Sequence, residues 1–317
     1  MKKLLTMVLV LSLCVLPVFM AQAEGNPAGI VQVLASVDVS FDGAPDAETA
    51  WAALSSLVYD YDQYAFDRTE VENLYKSLFA EGNFEDIADA PSSLFKSDGN
   101  GGYTLIQAAG EAATMVAVNN VADNGDGTYS VDFTAWKDVH GGYDEFACNG
   151  TIVVEEDAAS VLGYKALSYA SDSTAVSAFT AISADAVLDD QYDFNYAPEN
   201  AADGDFATCW AYTGSDLCPA LTFAAEAPET LRGMAITAGY AKNEDIFNKN
   251  CRIKAIEVTF ADGMEKTFNL DEVEVFDGMR VLPFEGIVET DSVSVKVTEV
   301  YPGSKYDDVC VSEVVFF

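Results

Sequence analysis

After Pro45, apolar residues recur at the three- and four-residue intervals of one helix face. They are Ala47, Ala50, Trp51, Leu54, Leu57, Val58 and Tyr61. This spacing predicts an amphipathic helix with Asp46 as its N-cap. A second helix is predicted from Thr69-Glu70-Val71-Glu72, which has the form of a capping box, to Gly82.

The pattern then changes to short runs rich in β-branched and aromatic residues, which predict strands. The runs are Met115 to Val121, Thr128 to Ala135, Gly150 to Glu155 and Tyr164 to Tyr169. Asn124-Gly125 and Asp126-Gly127 between the first two are hairpin-turn dipeptides. Helices followed by an antiparallel sheet predict an α+β domain over residues 24–175. Its element order is similar to NTF2-like or cystatin-like folds, in which a curved sheet wraps a helix.

A Ser-, Ala- and Thr-rich segment from Ser171 to Thr180 is interpreted as a linker. Strand patterns then follow at short spacing over residues 180–317. They cover Ala220 to Phe223, Met234 to Thr237, Ile253 to Phe260, Lys266 to Leu270, Val281 to Phe284, Ser292 to Val300 and Val309 to Phe317. This pattern predicts an all-β sandwich.

The first 23 residues have the pattern of a secretory signal peptide. Lys2 and Lys3 precede an apolar run, and Ala21-Gln22-Ala23 is a small-residue cleavage site. We expect cleavage after Ala23, no transmembrane segment in the mature chain, and a secreted or cell-surface protein. The alternative, an anchor helix, is less favoured because the run is short for a bilayer span and contains Pro17.

The net charge excludes some classes of binding partner. Asp and Glu outnumber Lys and Arg by 52 to 16, which gives a formal net charge of -36. Such a field repels phosphates and anionic membranes, so nucleic acid is not an expected partner. Half of the residues are apolar, which indicates a folded chain, and 317 residues suggest two domains.

Five cysteines follow the predicted signal peptide: Cys148, Cys209, Cys218, Cys251 and Cys310. Export permits disulfide bonds. Cys209 and Cys218 flank a short loop, and Cys251 and Cys310 would then join two strands, with Cys148 left over. The alternative is that all five stay reduced, and the sequence leaves both open.

No catalytic motif stands out. His140 is the single histidine and lies in a glycine-containing loop, without a nucleophile motif. Asp60 and Asp62 form one of many acidic pairs that 52 acidic residues produce by chance. The turn from Asp123 to Gly127 lacks the ligand spacing of an EF-hand. We predict no catalytic residue.

Two motifs in the last third resemble galactose-binding-like modules of the discoidin, or factor 5/8 type C, group. One is Ala202-Asp203-Gly204-Asp205-Phe206-Ala207-Thr208-Cys209-Trp210, and the other is Ser312-Glu313-Val314 in the last strand. In many such modules these elements share a structural Ca²⁺. The resemblance implies Asp203, Asp205, Thr208 and Glu313 as ligands, completed by backbone carbonyls. The alternative is a metal-free turn in which Glu313 pairs with a basic side chain.

Further motifs resemble the variant beside bacterial NAD glycohydrolase, called the translocation domain and associated with glycan binding. They are Gly239-Tyr240-x-Lys242, Asn250-x-Arg252 and Asp307-Asp308. Cys251 and Cys310 depart from that pattern, and no NAD glycohydrolase catalytic domain is visible upstream.

Sugars are held by aromatic faces and by a few charged or amide side chains. The predicted ligand contacts are Tyr240 and Lys242, which we expect to be exposed, together with Tyr212, Asn250, Arg252 and Tyr301. Alternatively, Arg252 pairs with Asp307 or Asp308. Trp210 is expected in the core.

The sequence therefore predicts an exported, non-catalytic protein that binds cell-surface or extracellular glycan through its C-terminal sandwich. One alternative is an exported enzyme with its active site in the first domain and the sandwich as a targeting module. Another is a structural envelope protein whose sandwich binds protein.

Overall fold

The computed structural model describes residues 26–37, 40–59, 63–89, 93–106, 113–139, 143–174, 176–190, 194–214, 218–272, 276 and 278–317. The predicted signal peptide lies outside these residues, as do His140, Asp60 and Asp62. No helix within the described ranges has the length and apolar character needed to span a bilayer.

The first domain begins with helices. They are α1 (Ala28–Ala35), α2 (Ala47–Val58) and α3 (Arg68–Leu78). Asp46 caps α2 as predicted, because its Oδ1 accepts the backbone N–H of Thr49 at 2.8 Å. The capping box of α3 differs from the prediction: Asp67 and Glu70 form it, since each side chain accepts the backbone N–H of the other. The helix therefore begins at Arg68, ahead of Thr69.

In the described part of this domain, eight strands follow or separate the helices. They are β1 (Phe41–Asp42), β2 (Ala65–Asp67), β3 (Phe95–Ser97), β4 (Gly102–Leu105), β5 (Ala113–Asp123), β6 (Thr128–Val139), β7 (Tyr143–Glu156) and β8 (Tyr164–Asp172). The main sheet is antiparallel, in the order β1-β8-β7-β6-β5, and β2, β4 and β3 form a small second sheet. The predicted hairpin joins β5 to β6.

The helices bury their apolar faces against one face of the main sheet. Val131, Phe133 and Ala135 alternate inward along β6 and pack in the same core as Leu54 of α2 and Leu78 of α3. This confirms the α+β class, while the likeness to NTF2-like or cystatin-like folds stays a prediction.

The second domain is a β-sandwich with one short helix, α4 (Glu244–Lys249). Its strands are β9 (Thr180–Ala184), β10 (Trp210–Thr213), β11 (Ala220–Ile236), β12 (Arg252–Phe260), β13 (Glu265–Asn269), β14 (Arg280–Tyr301), β15 (Asp308–Val311) and β16 (Val314–Phe316). One sheet runs β13-β12-β14-β11-β16, with β9 also paired to β11, and β10 pairs with β15. Side chains from both sheets share one apolar core, and Trp210 lies in it as expected.

Two long strands, β11 and β14, each take the place of two predicted strands. Ala220 to Phe223 and Met234 to Thr237 belong largely to β11, which pairs with β14 through register shifts between Ala224 and Glu229. A bulged strand keeps its direction while its inward-facing positions change, so the sequence pattern breaks where the strand does not. The predicted strand Val309 to Phe317 instead splits into β15 and β16.

The two domains pack directly against each other. The ring of Phe146 on β7 stacks on that of Phe317, with centroids 4.3 Å apart. Asp144 Oδ2 accepts the backbone N–H of Val281 at 3.0 Å, and the Asp144 N–H donates to the carbonyl of Met279 at 2.7 Å. Desolvation by burial raises the pKa of Asp144, although the N–H of Val281 and the charge of Arg280 counter it.

Candidate functional site

Three of the four predicted metal ligands, Asp203, Asp205 and Thr208, lie in one turn. Asp203 Oδ1 accepts the N–H of Asp205 at 2.9 Å, and its Oδ2 accepts the hydroxyl of Thr208 at 2.8 Å. Glu313 reaches the turn from the end of the chain, where its Oε2 accepts the N–H of Gly204 at 2.9 Å. Gly204 has a φ of 77°, the left-handed conformation that glycine adopts without strain.

Glu313 is a buried carboxylate among other carboxylates. Glu313 is only 5% exposed. Burial raises the pKa of Glu313 to about 7, against the lowering effect of the Gly204 N–H, and the charges of Asp203 and Asp205 raise it further. Among the described residues no lysine or arginine forms an ion pair with Glu313, so the alternative of a basic partner is not supported.

The donor chemistry of this turn suits Ca²⁺, which prefers several hard oxygen ligands. A cation would also relieve the charge of the buried Glu313 carboxylate. Within the described part of the chain, no three His, Cys, Asp or Glu side chains gather as a ready metal cluster. An ion here would therefore need backbone carbonyls beside Asp203 and Glu313. Whether the turn holds Ca²⁺ stays a prediction.

Two predicted ligand contacts are core residues instead. Tyr240 is 7% exposed, and its hydroxyl donates to the carbonyl of Ala207 at 3.2 Å. The Tyr240 side chain therefore supports the turn from within and is not the exposed contact that the sequence predicted. Tyr212 is 1% exposed and packs on the Trp210 ring in the sandwich core. Burial raises the pKa of both phenols.

Three further predicted contacts have structural partners. Asn250 is buried and its Nδ2 donates to the carbonyl of Ile246 at 2.8 Å, so it ends α4. Arg252 pairs with Glu272 at 2.7 Å, and not with Asp307 or Asp308. Tyr301 is half-buried, and its hydroxyl donates to the Leu270 carbonyl at 3.1 Å.

Of the predicted ligand contacts, Lys242 remains a candidate for binding a ligand at the surface. Its Nζ lies 3.8 Å from the centroid of the Phe194 ring. Phe194 is 47% exposed, so its ring is accessible to a ligand. We call these two residues the Phe194–Lys242 pair. Sequence reasoning missed Phe194 because it belongs to no periodic run, and its flanking Asp193 and Asn195 give only a weak loop signal.

A second aromatic–lysine pair lies at the other end of α4. Lys305 Nζ is 4.6 Å from the ring centroid of Tyr306 and 2.7 Å from its hydroxyl. The Tyr306 N–H donates to the carbonyl of Lys249 at 2.8 Å, which ties this loop to the C-terminal end of the helix. Tyr306 is 40% exposed.

The described interior of the first domain is filled by packed apolar side chains. Trp51, Phe84, Phe95 and Tyr103 contact one another in an aromatic cluster with ring centroids 5.1–6.1 Å apart. The exported-enzyme alternative would need an active site in this domain, and this apolar cluster does not supply one. An open groove of ≈ 290 Å³ lies instead at the domain junction, beside Asn149, Thr151 and Arg232.

Comparison with known proteins identifies the type of the second domain. Residues 169–317 match the family model of the NAD glycohydrolase translocation F5/8 type C domain. No curated protein matches the chain.

Several solved carbohydrate-binding modules are similar to less than half of the chain. The CBM32-3 module of a family 31 glycoside hydrolase from Clostridium perfringens is 16% identical, covering 44% of this chain and 90% of that one, with a TM-score of 0.34. The family 32 module of Clostridium perfringens NanJ, in complex with galactose, is 16% identical over 44% and 98% of the two chains, with a TM-score of 0.32. The family 32 module of Streptococcus pneumoniae EndoD is 12% identical over 44% and 95%, with a TM-score of 0.34.

Similarity at these values does not identify a ligand for this chain. The family match is the stronger finding, because it covers the whole sandwich together with the turn at residues 203–208 and Glu313. The C-terminal domain of this chain therefore resembles the F5/8 type C domain of the NAD glycohydrolase translocation family.

Proposed function

We propose that this chain is an exported, non-catalytic binding protein that attaches to cell-surface or extracellular glycan through its C-terminal sandwich. The observation that carries the proposal is the Phe194–Lys242 pair on a domain that resembles F5/8 type C modules. A sugar presents C–H groups to an aromatic face and hydroxyls to charged donors, and this pair offers both at one place. The first domain would serve as a second interaction module.

The location of the pair supports the proposal. Lys242 follows Tyr240, whose hydroxyl bonds to the residue before Thr208 in the predicted calcium-binding turn. The turn and its support therefore fix the backbone that presents Lys242. A preorganised loop loses less conformational entropy on binding than a mobile one, which favours affinity.

The test is a glycan array probed with the chain from Glu24 onward, since the two domains share an interface. We expect signal on a defined group of glycans, and the absence of any signal above background, with and without Ca²⁺, would refute glycan binding. For a glycan that binds, Phe194→Ala and Lys242→Ala should each weaken binding about tenfold or more, which corresponds to about 1.4 kcal/mol.

The chain offers a matched control for the position of the site. Lys305→Ala removes a lysine that lies over an exposed aromatic ring at the other end of α4. It should change affinity less than twofold. If Lys305→Ala weakens binding and Lys242→Ala does not, the protein binds glycan at the other end of the helix and our site is wrong.

We also propose that Ca²⁺ binds the turn of Asp203, Asp205, Thr208 and Glu313 and stabilises the sandwich. A ligand that binds only the folded state adds about 2.7 kcal/mol at a hundredfold excess over its Kd. Ca²⁺ should therefore raise Tm in a thermal melt that begins in EDTA, and Mg²⁺ should do so less because it loses water reluctantly.

Asp203→Asn should abolish the Ca²⁺-dependent rise in Tm. Asp262→Asn is the matched control, because Asp262 Oδ1 accepts the N–H of Met264 at 2.8 Å much as Asp203 Oδ1 accepts that of Asp205. A rise that survives in the Asp203 variant would place the ion elsewhere.

A further inference from the structure

Two cysteines of the sandwich meet on one side of the strand pair β10–β15. Ala211 lies directly opposite Cys310 in the register, and Cys209 lies two positions before Ala211 on the same face. Both cysteines are 1% exposed and belong to one small buried cluster with Ala211 and Tyr240. The neighbouring Cys209 thiol, together with burial, raises the pKa of Cys310.

The other cysteines of the domain have different surroundings. Cys251 pairs in register with Val309, the neighbour of Cys310, and both Cys251 and Val309 face the main sandwich core. Cys251 and Cys310 therefore point to opposite sides of β15. The thiol of Cys218 lies 3.7 Å from the carbonyl of Thr298 on β14. Each of these cysteines is a free thiol in the structure, and neither pairing named from the sequence, Cys209 with Cys218 or Cys251 with Cys310, is formed in it.

We propose that Cys209 and Cys310 form a disulfide bond when the chain folds in an oxidising environment. The oxidant is a disulfide of the glutathione class. One thiolate attacks it to give a mixed disulfide and releases a first thiol, and the second cysteine then displaces the other half. The S–S bond forms, the oxidant gains two electrons and two protons as two thiols, and the protein loses the same.

The bond would join the two segments that make the candidate calcium site. Cys209 follows Thr208 directly, and Cys310 lies three positions before Glu313. About a hundred residues separate the two cysteines in sequence, so closing this loop restricts the unfolded chain strongly. Both thiols are buried, which means that the bond must form before the cluster closes and that reductants should act slowly on the folded protein.

The experiment compares the chain from Glu24 onward refolded with oxidised glutathione and refolded with excess thiol. After alkylation and digestion, we expect a linked peptide containing Cys209 and Cys310, with Cys218 and Cys251 alkylated. A fully alkylated oxidised sample, or a linked peptide that joins any other pair, would overturn the proposal. This readout needs no variant to fold.

A thermal comparison adds an independent result. The oxidised sample should melt roughly 5–10 °C above the reduced one. Cys209→Ser and Cys310→Ser should each remove that difference, while the control Cys218→Ser should keep it. If the Tm difference persists in both Cys209→Ser and Cys310→Ser, the bond between these two cysteines is not its cause and the inference fails.

Discussion

Replacing Phe317 with alanine is expected to lower the free energy of unfolding by about 3–5 kcal/mol, the usual loss for a buried phenylalanine. Phe317 is 1% exposed and stacks on Phe146 of the first domain. Its ring also fills the space above Gly233, where an added Cβ would lie only 2.4 Å away. The cavity would open at the domain junction, so the two domains should lose cooperativity together with stability.

Urea unfolding followed by tryptophan fluorescence measures this loss, because Trp51 and Trp210 lie in the separate cores of the two domains. Phe194→Ala is the control, and as an exposed substitution it should change stability by less than about 0.5 kcal/mol. Phe146→Ala should also destabilise, and the double variant should lose less than the sum of the two single losses because the rings touch. Additive losses would contradict a shared interface.

The contacts at this domain junction could not be predicted from the sequence. Phe317 and Asp144 carry no local signal, because an outward-facing position on a strand is the same in sequence whether water or another domain covers it. The alternation that placed Val131 and Phe133 in the first core depends only on the period of a strand. The covering of the opposite face depends on the second domain, which lies far along the chain.

Three predicted ligand contacts are buried, and the reason why the sequence did not show this is related. The side chains of Tyr240, Tyr212 and Asn250 are amphipathic or carry an amide, and these residues lie outside the strands predicted from the sequence. Such side chains can face either the core or the solvent. The structure turns them inward, because Asn250 satisfies a carbonyl at the end of α4 and Tyr240 supports the turn at Ala207. The turn at Asp203 came from the resemblance to F5/8 type C modules, and its hydrogen bonds are local to residues 203–208, so they do not depend on distant packing.

Glu313 is the member of that motif with the largest expected effect of pH. Its pKa is about 7 in the folded protein against an ordinary value of 4.5. The folded state therefore favours the protonated form. The stability that it contributes is fully present below pH 4.5 and is lost as pH rises through about 7. At about 1.36 kcal/mol per pKa unit, this loss amounts to roughly 3 kcal/mol.

Urea unfolding in EDTA at pH 5 and pH 8 should therefore show a larger loss for the natural protein than for Glu313→Gln, by roughly 2.5 kcal/mol, because part of the effect is already lost at pH 5. The amide side chain of this variant keeps an oxygen for the N–H of Gly204 but does not titrate, and comparing the two proteins cancels other groups such as Asp144. Glu289→Gln, an exposed carboxylate on β14, is the control and should follow the natural protein.

Ca²⁺ at pH 8 should restore stability to the natural protein and not to Glu313→Gln, because the ion favours the ionised carboxylate that burial opposes. The same urea titrations, repeated with Ca²⁺ in place of EDTA, measure this difference. Equal pH dependence in the natural protein and Glu313→Gln would show that this carboxylate is solvated, and it would remove the electrostatic reason for placing a cation at the turn.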